Sequence, residues 1–299
     1  RPHCGEVLPP SGTKEECRCL AVNLGISNLA WDPTLDSEVA HLLTNHRIEF
    51  IDIAPSKYFD LDTKPQQSDV LALRKQWERR GIRIFALQAI MFGSDLNIFG
   101  DSRERDEMLG WLDRICRIGH QLGARFLVFG SPKNRDRSGL SDEVSNTIAE
   151  LFFAQLGDVA LKHETVICLE PNPVAYGTNF LTNAAETASF VRQVNHPGIR
   201  MQFDTGAIVM NRENPELVAN ECGDIIGHVH LSAPGLKPLF SRDPGLDEAF
   251  DAVRQLPAQQ VPTIEMLTST PQRCLKEIED SVEEVLSVFS PGWPEGRNE

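Results

Sequence analysis

Four residues with oxygen or nitrogen donors close four apolar runs in the second half of the chain. They are Glu170 in "ICLEPNP", Asp204 in "MQFDTGA", His230 in "HVHLSAP" and Glu265 in "TIEML". Glutamate is depleted in strands and almost never fully buried unless it is paired or bound to a metal. A charge delivered at the end of a strand therefore needs a partner. Three carboxylates gathered in one place would repel and raise one another's pKa, and a divalent cation removes that conflict. Three oxygens and one nitrogen suit Mn2+, Co2+, Mg2+ or Fe2+ better than a thiolate-rich structural zinc site does.

Such a gathering requires elements that end side by side. Eight strand-like apolar runs recur along the chain, at 19–26, 48–55, 82–91, 124–131, 165–171, 199–206, 225–232 and 261–267. Amphipathic stretches lie between them, such as "SEVAHLLTNH", "DEMLGWLDRICRIGHQLGA" and "SDEVSNTIAELFFAQLGDVALKHE", and "TPQRCLKEIEDSVEEVLSVFS" follows the last. Apolar residues at three-and-four spacing behind an Asp or Ser N-cap mark these as helices. Strands alternating with helices, with no Pro/Gly/Ser linker between, predict an α/β fold, a single (β/α)8 TIM barrel. An open doubly wound sheet is the alternative, but "NLGISNLAWDP" after the first run lacks its Gly-rich phosphate turn. The barrel is expected to span 18–290, with a loose N-terminal arm at 1–17 and a C-terminal tail at 291–299.

Chemistry in a parallel barrel sits at the C-terminal ends of its strands, where the four residues fall. Strand alternation then points Cys168, Gln202, His228 and Thr263 inward one step deeper. His228 is expected to orient a ligand, or to be a satisfied core histidine, and not to be a ligand itself. Asp52 and Gln88 occupy late positions of strands two and three, and Asn172 follows Glu170, so each is a candidate substrate contact. "GSPKNRDR" after strand four places Lys133, Asn134, Arg135 and Arg137 near the mouth, as an anion or sugar clamp or as a solvated basic loop. Trp31 could stack on a sugar face or cover the core.

The formal net charge of −14 argues against a nucleic-acid partner, which demands a basic face. No apolar stretch approaches the ~20 residues of a membrane span. Seven scattered cysteines, without a C-x-x-C pair, read as free thiols of a cytoplasmic protein.

The order Glu, Asp, His, Glu within "LEPNP", "FDTG", "HVHLS" and "IEM" resembles the xylose-isomerase-like barrel superfamily of sugar isomerases and epimerases. Successive members stand 34, 26 and 35 residues apart, which is similar to the ketose 3-epimerases within it. The resemblance implies that Glu170, Asp204, His230 and Glu265 bind one divalent metal, Mn2+ first, with Co2+ or Mg2+ as alternatives. It also implies that Glu170 and Glu265 exchange protons with a carbohydrate-like small-molecule substrate, and it leaves a homo-oligomer open. The physical logic stands beside it: proton removal next to a carbonyl and return to the opposite face epimerises, and return to the adjacent carbon isomerises.

The chain departs from that pattern around the substrate. Ala207 stands three residues after Asp204, where ketose 3-epimerases usually carry a His. The stretch after His230, "LSAPGLKPLF", contains Gly235 and no Arg. Lys237 is the nearby cation that could replace the missing one, and Pro234, Leu236 and Phe240 form an apolar lip. A plain ketohexose is therefore not the expected substrate; a glycoside, keto-glycoside, cyclitol or aromatic-bearing compound is. A metal-dependent lyase or dehydratase on the same barrel is the competing activity, distinguished by loss of water from the product. A multi-zinc endonuclease for abasic DNA would need more histidines and a basic face, and a non-catalytic sugar-binding barrel would not need both glutamates.

Overall fold

The computed structural model describes residues 23–240, 244–257 and 261–289. The proposed arm at 1–17 and tail at 291–299 lie outside the described residues. Eight strands, β1 (Gly25–Ser27), β2 (Phe50–Ile53), β3 (Arg83–Leu87), β4 (Phe126–Phe129), β5 (Val166–Leu169), β6 (Ile199–Asp204), β7 (Ile226–Ser232) and β8 (Thr263–Glu265), pair in parallel in chain order. Pairing of β1 with β8 closes the barrel, with Gly25 opposite Thr263. Helices lie between successive strands: α1 (Asp36–Asn45), α2 (Gln67–Glu78), α3 (Ser102–Leu122), α4 (Asp142–Lys162) and α5 (Ala184–Val194). The pair α6 (Thr205–Asn211) and α7 (Pro215–Cys222) follows β6, α8 (Pro244–Val253) follows β7, and α9 (Cys274–Phe289) follows β8.

The helices form where capping and periodicity agree. Asp101 accepts the Glu104 N–H at the start of α3 at 2.9 Å, and the helix buries Met108, Trp111, Leu112, Ile115 and Cys116 on one face. Ser141 caps α4 in the same way, and Phe152, Phe153 and Leu156 carry its buried face. The strands are shorter than their apolar runs because the run ends serve another purpose. β3 stops at Leu87; the chain turns at Ala89 with φ 51°, and the Ile90 carbonyl accepts Trp111 Nε1–H at 2.9 Å. The Gln88 N–H still bonds the Ile53 carbonyl at 3.0 Å, and Gln88 and Ala89 both line the cavity at the barrel mouth.

Cys116, Cys168, Cys222 and Cys274 are free and buried, and no helix among the described residues is long and apolar enough to cross a membrane. Trp31 is a core residue: it is buried, packs edge-on against Trp77 and donates to Asp36 at 2.8 Å.

One register shift, between Met201 and Gln202 opposite the start of β7, sets how the site strands meet. Gly227 sits at this irregularity. A Cβ there would lie 2.8 Å from Arg200 Cβ and 2.7 Å from Cys168 Sγ, closer than packed carbon atoms tolerate. Gly227→Ala is expected to destabilise the protein by about 1–3 kcal/mol through overpacking. A lower midpoint of urea denaturation at unchanged slope would show it; an unchanged midpoint would mean that the bulge relaxes freely.

Candidate metal centre

Glu170 lies one residue beyond β5, and its N–H continues the ladder to the Phe129 carbonyl at 3.1 Å. Its side chain occupies space that a Cβ on Gly130 would take, since that atom would fall 2.1 Å from Glu170 Oε2. Asp204 ends β6 and caps α6, accepting the Ala207 N–H at 2.7 Å. Glu265 ends β8. His230, in β7 and wholly buried, faces them with Nδ1 at 3.6 Å from Glu170 Oε1 and 3.4 Å from Glu265 Oε2.

These distances are too long for good hydrogen bonds, and neither nitrogen of His230 has a hydrogen-bond partner although both are buried. One ligand atom from each of Glu170, Asp204, His230 and Glu265 lies within 4.8 Å of every other. Two ligands each about 2.1–2.4 Å from a common ion stand at most about 4.8 Å apart. The four donors therefore fit one divalent cation, and their oxygen-rich set is of the kind that Mn2+, Co2+, Mg2+ or Fe2+ takes.

The electrostatics state the same conflict. Burial and the neighbouring Glu170 and Glu265 charges push the Asp204 carboxyl up to about 7. Burial also pushes Glu170 upward, but the His230 imidazole, the Asn172 amide and the Arg135 charge outweigh it and hold the group low. Burial disfavours the charged form of His230, yet the carboxylates of Glu265, Asp52 and Glu170 raise its pKa well above the ordinary value.

Each donor is held by a further residue. Gln88 Nε2 donates to Glu265 Oε1 at 2.6 Å, and Asn172 Nδ2 to Glu170 Oε2 at 2.9 Å. Arg135, fully buried, donates through Nη2 to the Gly130 and Glu170 carbonyls and to Asn172 Oδ1, at 2.9, 2.8 and 2.7 Å. That last bond decides which way the Asn172 amide faces. Ser232 Oγ lies 2.9 and 2.8 Å from the two Asp204 oxygens. Below them His228 Nε2 meets Asp52 Oδ2 at 2.6 Å, and the same oxygen stands 3.4 Å from His230 Nε2. Asp52 is thus not a substrate contact but a buried carboxylate behind the two imidazoles.

Of the expected substrate contacts, Gln88 and Asn172 line the cavity above the cluster, about 440 Å³ in volume, and Lys133 and Lys237 do not. Lys133 is exposed and pairs with Asp95; Lys237 is exposed. The loop after β4 is no clamp: Asn134 binds the Ser94 and Leu96 carbonyls, and Arg137 binds the Asn179 carbonyl and Asp142. Ala207, Gly235 and Leu236 line the cavity, whereas Pro234 and Phe240 are not among its lining residues. The sequence reading missed the roles of Ser232, Arg135 and Tyr176. The Tyr176 hydroxyl accepts the Gly235 N–H at 2.9 Å and so ties the loop after β5 to the loop after β7. Ser232, two residues beyond His230 on the same face of β7, was the one within reach of strand alternation.

A family model described as xylose isomerase-like TIM barrel matches residues 46–289. Among solved structures, the 3-keto-D-glucoside 4-epimerase YcjR from E. coli aligns with a TM-score of 0.71 at 15% identity, covering 89% of this chain and 99% of that one. D-Psicose 3-epimerase from Clostridium cellulolyticum H10, solved with D-tagatose, gives 0.71 at 15% identity, covering 89% and 97%. The IolI protein, solved with a bound zinc atom, gives 0.68 at 16% identity, covering 88% and 98%. At these identities the likeness is one of fold. No curated protein matches the chain in sequence.

The Asp52 pairing carries its own test. Burial pushes the Asp52 carboxyl up, but the charges and hydrogen bonds of His228 and His230 hold it well below the usual range. A carboxyl depressed by folding stabilises above its unfolded pKa of about 3.9, and that stability is lost as pH falls through the folded value. Asp52→Ala is expected to cost about 3–5 kcal/mol near neutral pH. The gap to wild type should be full above about pH 4 and narrow below it; a gap independent of pH in denaturation curves would show that packing alone is lost.

Proposed function

The chain belongs to the xylose isomerase-like TIM barrel family, and from that premise we propose that it is a divalent-metal-dependent isomerase or epimerase of a sugar, keto-sugar or related polyol. The observation that carries the reading is the pair Glu170 and Glu265, set at the ends of β5 and β8 on either side of His230 and both lining one cavity. Glu170, Asp204, His230 and Glu265 would hold the ion, for which Mn2+ is the first choice. When bound, such an ion acts as a Lewis acid that polarises a carbonyl and stabilises negative charge on its oxygen.

The proton work falls to the chain's own groups. One glutamate removes the hydrogen from the carbon next to the carbonyl. The other protonates the opposite face of that carbon, which epimerises, or the adjacent carbon, which isomerises. Glu170 suits the base: its carboxyl is held low and therefore ionised, and Asn172 fixes one oxygen so that the other faces the His230 side. Gln88 fixes Glu265 in the same manner from β3. Asp204, bonded to Ser232 and to the N-terminus of α6, is a support for the ion and not a proton carrier.

Protein purified without chelators is expected to carry about one divalent ion per chain, as a single four-donor site requires. Chelation should remove it, Mn2+ should restore it, and His230→Ala should abolish uptake while circular dichroism stays native. A wild-type chain that takes up no metal on addition would end this reading.

Glu170→Gln and Glu265→Gln should each lower turnover on the order of 10²–10⁴-fold, the range of a general acid or base. Turnover in D2O should place deuterium on the carbon next to the carbonyl. Product that retains the original hydrogen throughout would mean hydride transfer and contradict the paired-glutamate mechanism.

A further inference from the structure

The groups assigned to chemistry occupy one half of the barrel mouth, on β5 to β8. The other half is different in kind. There the cavity is walled by Leu29 after β1, Ala89 after β3, and Val128 and Pro132 on and after β4. Leu236, in the turn after β7, adds a fifth apolar group. The polar lining residues on this side are Ser131 and Gln88, and Gln88 already gives an amide N–H to Glu265.

Charge sharpens the contrast. Among the described residues that line the cavity, none is Lys or Arg. The nearest buried guanidinium, Arg135, stands behind Glu170 and Asn172 and turns Nη2 to protein oxygens. A phosphate or carboxylate on the substrate would meet three carboxylates and no described cation. A row of hydroxyls laid against Leu29, Ala89, Val128 and Pro132 would lose water and find polar partners on this side only at Gln88 Oε1 and Ser131, which is unfavourable for each hydroxyl left over.

Size points the same way. At interior packing density a hexose of twelve heavy atoms fills on the order of 200 Å³, less than half of the cavity of about 440 Å³. The remainder is bounded by the apolar wall.

We infer that the substrate is an uncharged sugar that carries an apolar alkyl or aryl substituent, lodged against Leu29, Ala89, Val128 and Pro132 while its reacting end lies over β5 to β8. The assignment of the reacting end rests on the function proposed above; the preference for an apolar substituent is read from the wall itself. Leu29 and Leu236 are the specificity-determining residues most open to test, since both are only partly buried and tolerate a polar replacement better than Val128, which is buried in β4.

The test is calorimetric titration of the whole protein, with Mn2+ and without it. The probes are D-glucose, D-galactose and D-fructose, the phenyl and octyl glycosides of glucose and galactose, and glucose 6-phosphate. The glycosides are expected to bind at least about tenfold more tightly than the free sugars, with a more negative heat-capacity change, and the phosphate most weakly. Leu29→Ser, and separately Leu236→Ser, should shrink the glycoside-to-free-sugar ratio to about threefold or less, as expected when an apolar contact is removed. Equal affinities, tightest binding of the phosphate, or a ratio unchanged in both variants would overturn the inference. Metal uptake and deuterium exchange are followed on the same samples. A chain that binds metal and exchanges protons without preferring glycosides refutes the substituent and leaves the function standing. A chain that prefers glycosides but binds no metal does the reverse.

Discussion

Mutual repulsion among Glu170, Asp204 and Glu265 is the constraint around which the barrel mouth is arranged. Carboxylates within about 5 Å repel by on the order of 3 kcal/mol per pair at an effective dielectric of about 20. Folding nevertheless places all three, largely buried, around His230. The structure does not dissolve the conflict by salt bridging each acid to its own lysine or arginine. It supplies neutral donors instead: the amides of Gln88 and Asn172, the hydroxyl of Ser232 and the backbone N–H of Ala207. Neutral donors fix the direction of a carboxylate without cancelling its charge. The cluster stays electron-rich and oriented, which is the condition in which a divalent cation is bound most strongly.

The supports are graded by depth. At the level of the four donors lie amides and hydroxyls; one layer deeper lie Asp52 and His228, both wholly buried. Asp52 faces the Nε2 side of His230, leaving Nδ1 toward the acids. At 3.4 Å the Asp52 carboxylate is too far for a good hydrogen bond, and it acts on the His230 imidazole through its charge. On the outer side Arg135 bonds two carbonyls and Asn172, so a single buried cation tilts the environment of Glu170 relative to that of Glu265. The surroundings of the two glutamates therefore differ: Glu170 has Asn172 and Arg135 beside it, and Glu265 has Gln88.

Much of this arrangement was legible in the residues themselves, and what was not has a physical reason. The ends of apolar runs marked Glu170, Asp204, His230 and Glu265 as neighbours, because parallel strands in a closed barrel place their ends in one ring. The same reasoning located Gln88 and Asn172. It misjudged Lys133 and Lys237, since a loop residue's direction is set by tertiary contacts, and Lys133 turns to Asp95. Asp52 reads in sequence as a candidate substrate contact because periodicity gives the face of a strand but not its depth. Arg135 reads in sequence as part of an anion or sugar clamp or of a solvated basic loop, yet it is fully buried and bonds Asn172 Oδ1. Hydrogen-bond partners across the barrel, such as Gln88 with Glu265, are separated by 177 residues and leave no local trace in sequence.

The division between strands and loops also explains how a fold can be shared at about 15% identity with enzymes that act on different sugars. The donors at the strand ends are held by the sheet: the Glu170 N–H bonds the Phe129 carbonyl, Asp204 pairs with His230, and Glu265 pairs with Ser232. Leu29, Ala89, Pro132 and Leu236 stand in the connections after strands, where no ladder restrains them and a change of side chain disturbs little of the core. On the function proposed above, reaction type and substrate preference would rest on different physical foundations in the same cavity. The first would depend on the charge conflict among Glu170, Asp204 and Glu265 that the strand ends contain, and the second on the surface that a few loop residues would present to the part of the substrate that does not react.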